Sequence, residues 1–183
     1  MARVKLLEKE QADPIFSEMF QKLEDGKFPI INLYKAMANS PKVGRNFIRL
    51  GNAILNSEIL DPKLRELAIL RVGNLLQSEY EFTKHVVIGK GTGITDDQIK
   101  ELSKWESSKK FTEIERAVLQ YTDEVTLKVR VSDRTFANLK RFFDDTQIVK
   151  LTATIGYYGM VSRLLVALEV ELEPGEKAFT PVL

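Results

Sequence analysis

The chain has no cysteine among its 183 residues. That excludes thiol redox catalysis, disulfides and thiolate metal sites within it. Histidine is almost missing too: the only one is His85. A single imidazole with no recurring Glu-x-x-His pattern is a poor basis for a metal centre, so neither metal nor cofactor is expected. No uninterrupted apolar run approaches the ~18 residues of a membrane span, and the opening MARVKLLEKEQ lacks the apolar core of a signal peptide. Charge of one sign is lacking as well: the net charge is +1, with acids and bases mixed along the chain. Nucleic acid and membrane surface are therefore not expected partners, and the cytoplasm is the expected compartment. There is no phosphate loop, because Gly89-x-Gly91-x-Gly93 follows no strand and lacks the Gly-Lys-Ser/Thr ending. Strand-period alternation is confined to Val125–Val131, too short to support a sheet.

What is present is an ordinary globular composition, 44% hydrophobic and 29% charged, enough for one domain with its own core over residues 1–183. The informative stretch is Leu60–Ile94, which reads as two helices joined by a tight turn. Asp61-Pro62 is a helix start: the aspartate caps free amides, and proline suits the first helical position. Leu64, Leu67, Ala68, Val72 and Leu75 follow at helical spacing, leaving Glu66 on the opposite side. A turn near Gln77-Ser78 leads to a second helix carrying Glu81 and His85 at i and i+4, on one face. Gly91 and Gly93 end it. So short a join implies antiparallel packing, which brings Glu66 toward Glu81 and His85.

The flanks are helical as well. Asp13-Pro14 and Ser40-Pro41 start helices, with Ile15, Met19, Phe20 and Leu23 facing inward in the first and Val43, Phe47, Leu50, Ile54 and Leu55 in the second. Asn32 is a candidate cap for a short helix between them. Thr95-Asp96-Asp97 opens another short helix, Trp105–Lys110 reads as a polar loop, and Thr112 with Glu115 forms a capping box. Ser132 begins a helix with Phe136, Leu139, Phe142 and Phe143 on one side. Gln147 to about Leu168 is apolar on most sides, which suits the core or a subunit interface. The ending EPGEKAFTPVL reads as extended. The fold class is all-α.

Several residue types here suit acid–base chemistry. His85, with an ordinary pKa of ~6.5, can donate or accept a proton near neutral pH, or it can simply fill a partly apolar helix face. Glu81 has two readings: a capping box with Ser78, or a site carboxylate. Ser78 is read as the cap of the second helix and a candidate substrate-binding residue. Glu66 lies too far along its helix to be a cap, so it is either a functional carboxylate or a partner of Arg65 or Arg71. Tyr157, Tyr158 and Arg163 on the last helix are candidates to line a pocket, with Arg163 as a clamp for a substrate carboxylate.

Three pieces of the chain, LRELAILRV (Leu64–Val72), SEYEFTKH (Ser78–His85) and Gly93-Ile94-Thr95, resemble the carboxymuconolactone decarboxylase / AhpD-like family. Weaker similarity lies in NLYKAMANSP (Asn32–Pro41) and IGYYGMVSRLL (Ile155–Leu165). The resemblance centres on about residues 40–125 and implies an all-α fold with a central antiparallel pair carrying the motif. It also implies a homo-oligomer (dimer, trimer or hexamer). Peroxidase-type members pair a glutamate with Cys-x-x-Cys-x-x-x-His; here the glutamate falls on Glu66 and the histidine on His85. The two cysteine positions fall on Ser78 and Glu81, neither of which can form a redox disulfide. The decarboxylase branch lacks the cysteine pair. By that resemblance the expected function is cofactor-independent acid–base catalysis on a small carboxylated or lactone-type molecule. His85 is the proton donor, Glu66 orients it or acts as base, and Glu81 completes the site. The rival reading is a non-catalytic helical oligomer that binds a small ligand or partner.

Overall fold

Asp61 accepts amide hydrogen bonds from Lys63 (2.8 Å) and Leu64 (3.1 Å), and so starts the helix at the centre of the fold. The computed structural model describes residues 1–182. Among them are nine α-helices and no strand: α1 (Pro14–Asp25), α2 (Asn32–Met37), α3 (Pro41–Leu55), α4 (Pro62–Leu75), α5 (Glu79–Gly91), α6 (Asp96–Glu101), α7 (Glu113–Lys128), α8 (Asp133–Lys140) and α9 (Asp145–Ala167). The all-α expectation holds.

Helix α4 is the axis of the molecule, in contact with α5, α7 and α9. Every residue from Leu64 to Asn74 is buried. This corrects the one-sided helix expected from its leucine spacing: α4 has no solvent side, because neighbours cover the face that carries its charges. Those charges must then be paired inside the protein. Arg71 bonds Asp123 at 2.6 and 2.9 Å, and Arg65 bonds Glu66 at 3.0 Å. Asp123 also accepts from the indole of Trp105 (3.0 Å), which is buried rather than part of a polar loop.

The turn from α4 to α5 passes through Gln77 in the left-handed region (φ 52°), and its side chain donates to the Asn74 carbonyl (2.7 Å). The two helices then run antiparallel: Gly73 lies beside Phe82, whereas Gly89 lies beside Leu70 and Glu66. Helix α5 ends as its glycine pattern implied, with Gly93 at φ 96° and the Ile94 amide returned to the Gly89 carbonyl (3.0 Å).

Capping boxes form at Thr112/Glu115 and at Asp144/Gln147. Asn32 does not cap α2; it is the helix's first residue, and its side chain donates to the Glu171 carbonyl (3.0 Å). On α1, α3 and α8 some residues expected inside are exposed, namely Ile15, Val43, Leu50 and Phe136. Each lies at the edge of an apolar stripe wider than the neighbouring helices can cover. Helix α9 packs on α4 along one side and leaves Val149, Met160 and Val166 exposed. After α9 the chain turns back, and residues 170–182 cross α5 as an extended strap. The Phe179 amide donates to Thr83 Oγ1 (2.8 Å), and Asn74 donates to the Val182 carbonyl (2.6 Å).

Candidate active site

The antiparallel register of α4 and α5 places Glu66 against His85, which the i, i+4 spacing places against Glu81. His85 Nδ1 lies 2.6 Å from Glu66 Oε2, and Nε2 lies 3.0 Å from Glu81 Oε1. The imidazole is thus held between two carboxylates, one on each nitrogen, and all three side chains are buried. Because the carboxylates sit on opposite sides of the ring, they do not converge on a common point where a cation could be held. Among the described residues, no group of three or more His, Cys, Asp or Glu is arranged to bind a metal.

The two carboxylates differ in their surroundings. Glu66 is wholly inaccessible; one oxygen faces His85 and the other accepts from Arg65, whose guanidinium is itself tied to the Leu55 carbonyl (2.9 Å). Glu66 is therefore fixed and orients the imidazole. Glu81 lines the cavity described below, and among the described residues no donor besides His85 reaches its carboxylate. Burial alone drives the His85 pKa down, but the charge of Glu81 and the bonds to Glu66 and Glu81 more than offset it and raise it to about 9. At neutral pH the ring is an imidazolium with both N–H groups engaged.

In front of His85 and Glu81 is a cavity of about 220 Å³. Its walls are mainly aromatic and aliphatic, among them Tyr34, Phe47, Tyr157, Tyr158 and Val161, and Lys84 also lines it. The Tyr158 ring meets the His85 ring edge to face at 4.8 Å, and Tyr157 stands edge to face with Tyr158 at 5.2 Å. Burial raises the pKa of both phenols, so they remain neutral donors. Gly51 is needed at this wall, since a Cβ there would collide with the Tyr157 hydroxyl and lie 2.9 Å from its Cζ.

Glu66, Glu81, His85 and Tyr157 thus come together, with Tyr158 beside them. Ser78 and Arg163 do not. Ser78 precedes α5 but makes no side-chain cap; its hydroxyl is buried without a partner, away from this cavity. The expected Ser78/Glu81 capping box is absent because Glu81 turns toward His85 instead. Arg163 is exposed on α9 and donates to the Gly159 carbonyl one turn back (2.8 Å). The sequence reading missed Lys84, Tyr34 and Tyr80 as cavity residues. For Lys84, its position next to His85 was the available signal; nothing local marks Tyr34.

Residues 41–124 match the carboxymuconolactone decarboxylase family. Among curated proteins none matches the chain. Among solved structures, a protein of unknown function from Agrobacterium tumefaciens, described as a candidate antioxidant defence protein AhpD, is 27% identical, with a TM-score of 0.71 over 75% of this chain and 94% of its own. An uncharacterised peroxidase-related protein from Ralstonia eutropha, described as an alkylhydroperoxidase AhpD core, has a TM-score of 0.80 at 16% identity, covering 94% of this chain and 93% of its own. The debrominase Bmp8 has a TM-score of 0.76 at 18% identity, covering 92% of this chain and 90% of its own. The last two likenesses show the fold alone.

Proposed function

We propose, for a chain whose residues 41–124 are a carboxymuconolactone decarboxylase family segment in an AhpD-like all-α fold, that it is a cofactor-independent acid–base enzyme. Its substrate class is a small carboxylated or lactone-type molecule, and decarboxylation is the favoured reaction. The observation that carries this is His85 held between the buried carboxylates of Glu66 and Glu81 and facing a small, largely apolar cavity, an arrangement that favours the protonated ring. When a carboxylate leaves as carbon dioxide from a carbon next to a carbonyl or lactone, the bonding pair moves onto that group. An imidazolium at that point stabilises the new charge and then supplies the proton. Glu66 holds Nδ1 and keeps the ring oriented; the Nε2 proton, shared with Glu81 in the resting site, is the one that turns to the substrate carbon, leaving a neutral imidazole on Glu66. The apolar walls keep competing water out and strengthen these charge interactions.

Thiol peroxidase chemistry is not proposed, because Ser78 and Glu81 stand where the resemblance places the two cysteines. The homo-oligomer implied by the resemblance belongs to the same proposal, and a monomer mass by sedimentation velocity would remove it.

A second reading, a non-catalytic ligand-binding protein, is favoured by one observation: both nitrogens of His85 are already engaged by Glu66 and Glu81, so the Arg65–Glu66–His85–Glu81 network is satisfied by protein groups alone. Thermal unfolding against small carboxylates and lactones, carboxymuconolactone included, finds the molecule, and turnover of that molecule then separates the readings. Acid–base catalysis predicts a fall of roughly 10²–10⁴-fold in kcat for His85→Gln in a folded protein. Binding without turnover by the wild type supports the second reading instead.

A further inference from the structure

Among the described residues, two basic side chains line the cavity, His85 and Lys84. Both nitrogens of His85 are occupied by Glu66 and Glu81. If the substrate carries a carboxylate, as the function proposed above requires, the remaining cation to receive it is Lys84. Arg163, which the sequence offered for that task, is exposed on α9 and outside the cavity.

Lys84 is already paired. Its ammonium lies 5.4 Å from the centre of the Tyr80 ring and contacts Glu173 and Glu176 of the C-terminal strap. The two acids are held very differently. Glu173 also accepts from the Asn32 amide (2.6 Å) and the Tyr80 hydroxyl (2.7 Å), so it is fixed by three donors on two helices, α2 and α5. Glu176 bonds only Lys84 among the described side chains, at 2.5 and 2.7 Å, and its own side chain is 37% exposed. It follows Gly175, whose φ of 86° forms the tight turn that brings the strap back.

Charge decides what an arriving anion must do. Glu81 already presents one carboxylate to the cavity, and a second left unpaired there would be repelled in a poorly solvated space. Exchanging one carboxylate for another on Lys84 avoids this, because the local charge is unchanged and Glu176 swings into water. An exposed ion pair contributes little net stability, so its release opposes the exchange only weakly. The long, flexible stem of lysine allows the ammonium to turn from the strap toward the cavity.

We propose that Lys84 is the carboxylate-binding residue of the cavity, and that Glu176 is a built-in competitor which an incoming carboxylate displaces. The strap thereby tunes the affinity for anionic ligands. The proposal rests on the carboxylated-substrate reading, but its test does not depend on turnover.

The probe is benzoate, with methyl benzoate as its uncharged match. Because the protein has a single histidine, ring nitrogen NMR reports His85 without ambiguity. Benzoate is expected to shift that signal saturably in the wild type. Lys84→Met weakens the dissociation constant by about tenfold, the cost of a lost charged hydrogen bond. Glu176→Gln tightens it several-fold, a gain that a merely structural lysine does not produce. Methyl benzoate ignores both changes. The proposal is overturned if benzoate gives no saturable shift in either the wild type or folded Glu176→Gln at concentrations on the order of tens of millimolar. It is equally overturned if the two substitutions leave benzoate binding unchanged. Full turnover by His85→Gln, in contrast, sinks the acid–base reading and leaves the exchange on Lys84 standing.

Discussion

His85 is the residue on which charge, burial and position meet. Its folded pKa of about 9 lies above its ordinary value of 6.5, so its proton stabilises the folded state. That contribution is present in full below about pH 6.5 and is lost as the pH rises toward 9; its size is on the order of 3 kcal/mol. Unfolding midpoints followed from pH 6 to 10 are expected to fall more steeply for the wild type than for His85→Gln, and parallel curves would contradict the protonated ring. Glu66→Gln is the complementary test. It leaves the buried Arg65 guanidinium without its carboxylate, and breaking a buried pair from one side costs about 3–5 kcal/mol. Urea denaturation measures that loss. At this scale the sequence marked Glu66, Glu81 and His85 through spacing, and the family resemblance gave them their expected roles. It could not say that Glu66 is sealed behind the ring whereas Glu81 faces the cavity, because that depends on which helices cover α4.

Among the elements, helix starts and stops were the most legible features. Asp61-Pro62, Thr112/Glu115, Ser132 and Gly93 all act locally, through atoms within a few residues. Ser78 and Asn32 were the exceptions: the tertiary partner His85 drew Glu81 away from the box at Ser78, and Asn32 is the first residue of α2, its side chain bonded to the distant Glu171 carbonyl. Ser78→Ala is therefore expected to change stability little or to raise it slightly, because the substitution removes a buried hydroxyl without a partner; a loss of a full cap's worth, about 1 kcal/mol in urea denaturation, would contradict this. The helical glycines give a contrast of sign. A Cβ on Gly44 of α3 would lie 2.6 Å from Phe16 Cζ and 2.7 Å from the Met37 carbonyl oxygen. Gly44→Ala is expected to destabilise by about 1–3 kcal/mol despite alanine's better helix propensity. Gly156 of α9 has nothing within 4 Å of that position, and Gly156→Ala is expected to stabilise by about 0.4–1 kcal/mol. The same denaturation series reads both.

For the molecule as a whole, the strap links the C-terminal segment to the central hairpin. Phe179 bonds Thr83, Thr180 bonds Glu79 (2.9 Å) and Val182 bonds Asn74, so both α4 and α5 are held. Truncation after Leu168 removes these three hydrogen bonds and the two that Glu173 accepts from Asn32 and Tyr80, at about 1 kcal/mol each, and is expected to lower the unfolding midpoint by at least roughly 10 °C. An unchanged midpoint would mean that the strap lies on the surface without supporting the hairpin. No helix among the described residues is long and apolar enough to cross a membrane.

The sequence by itself determined the helical class, most helix limits, the antiparallel hairpin and the meeting of Glu66, Glu81 and His85. These follow from interactions short in sequence: caps, a tight turn, and an i, i+4 pair. Only the tertiary structure decided that α4 is buried on every side, that Arg163 lies outside the cavity and Lys84 within it, and that Tyr34 and the strap reach the site. Tyr34 and Tyr157 line one cavity across more than a hundred residues of chain. No local periodicity encodes which apolar stripe meets which, because hydrophobic burial is non-directional and is settled by how the helices fit together.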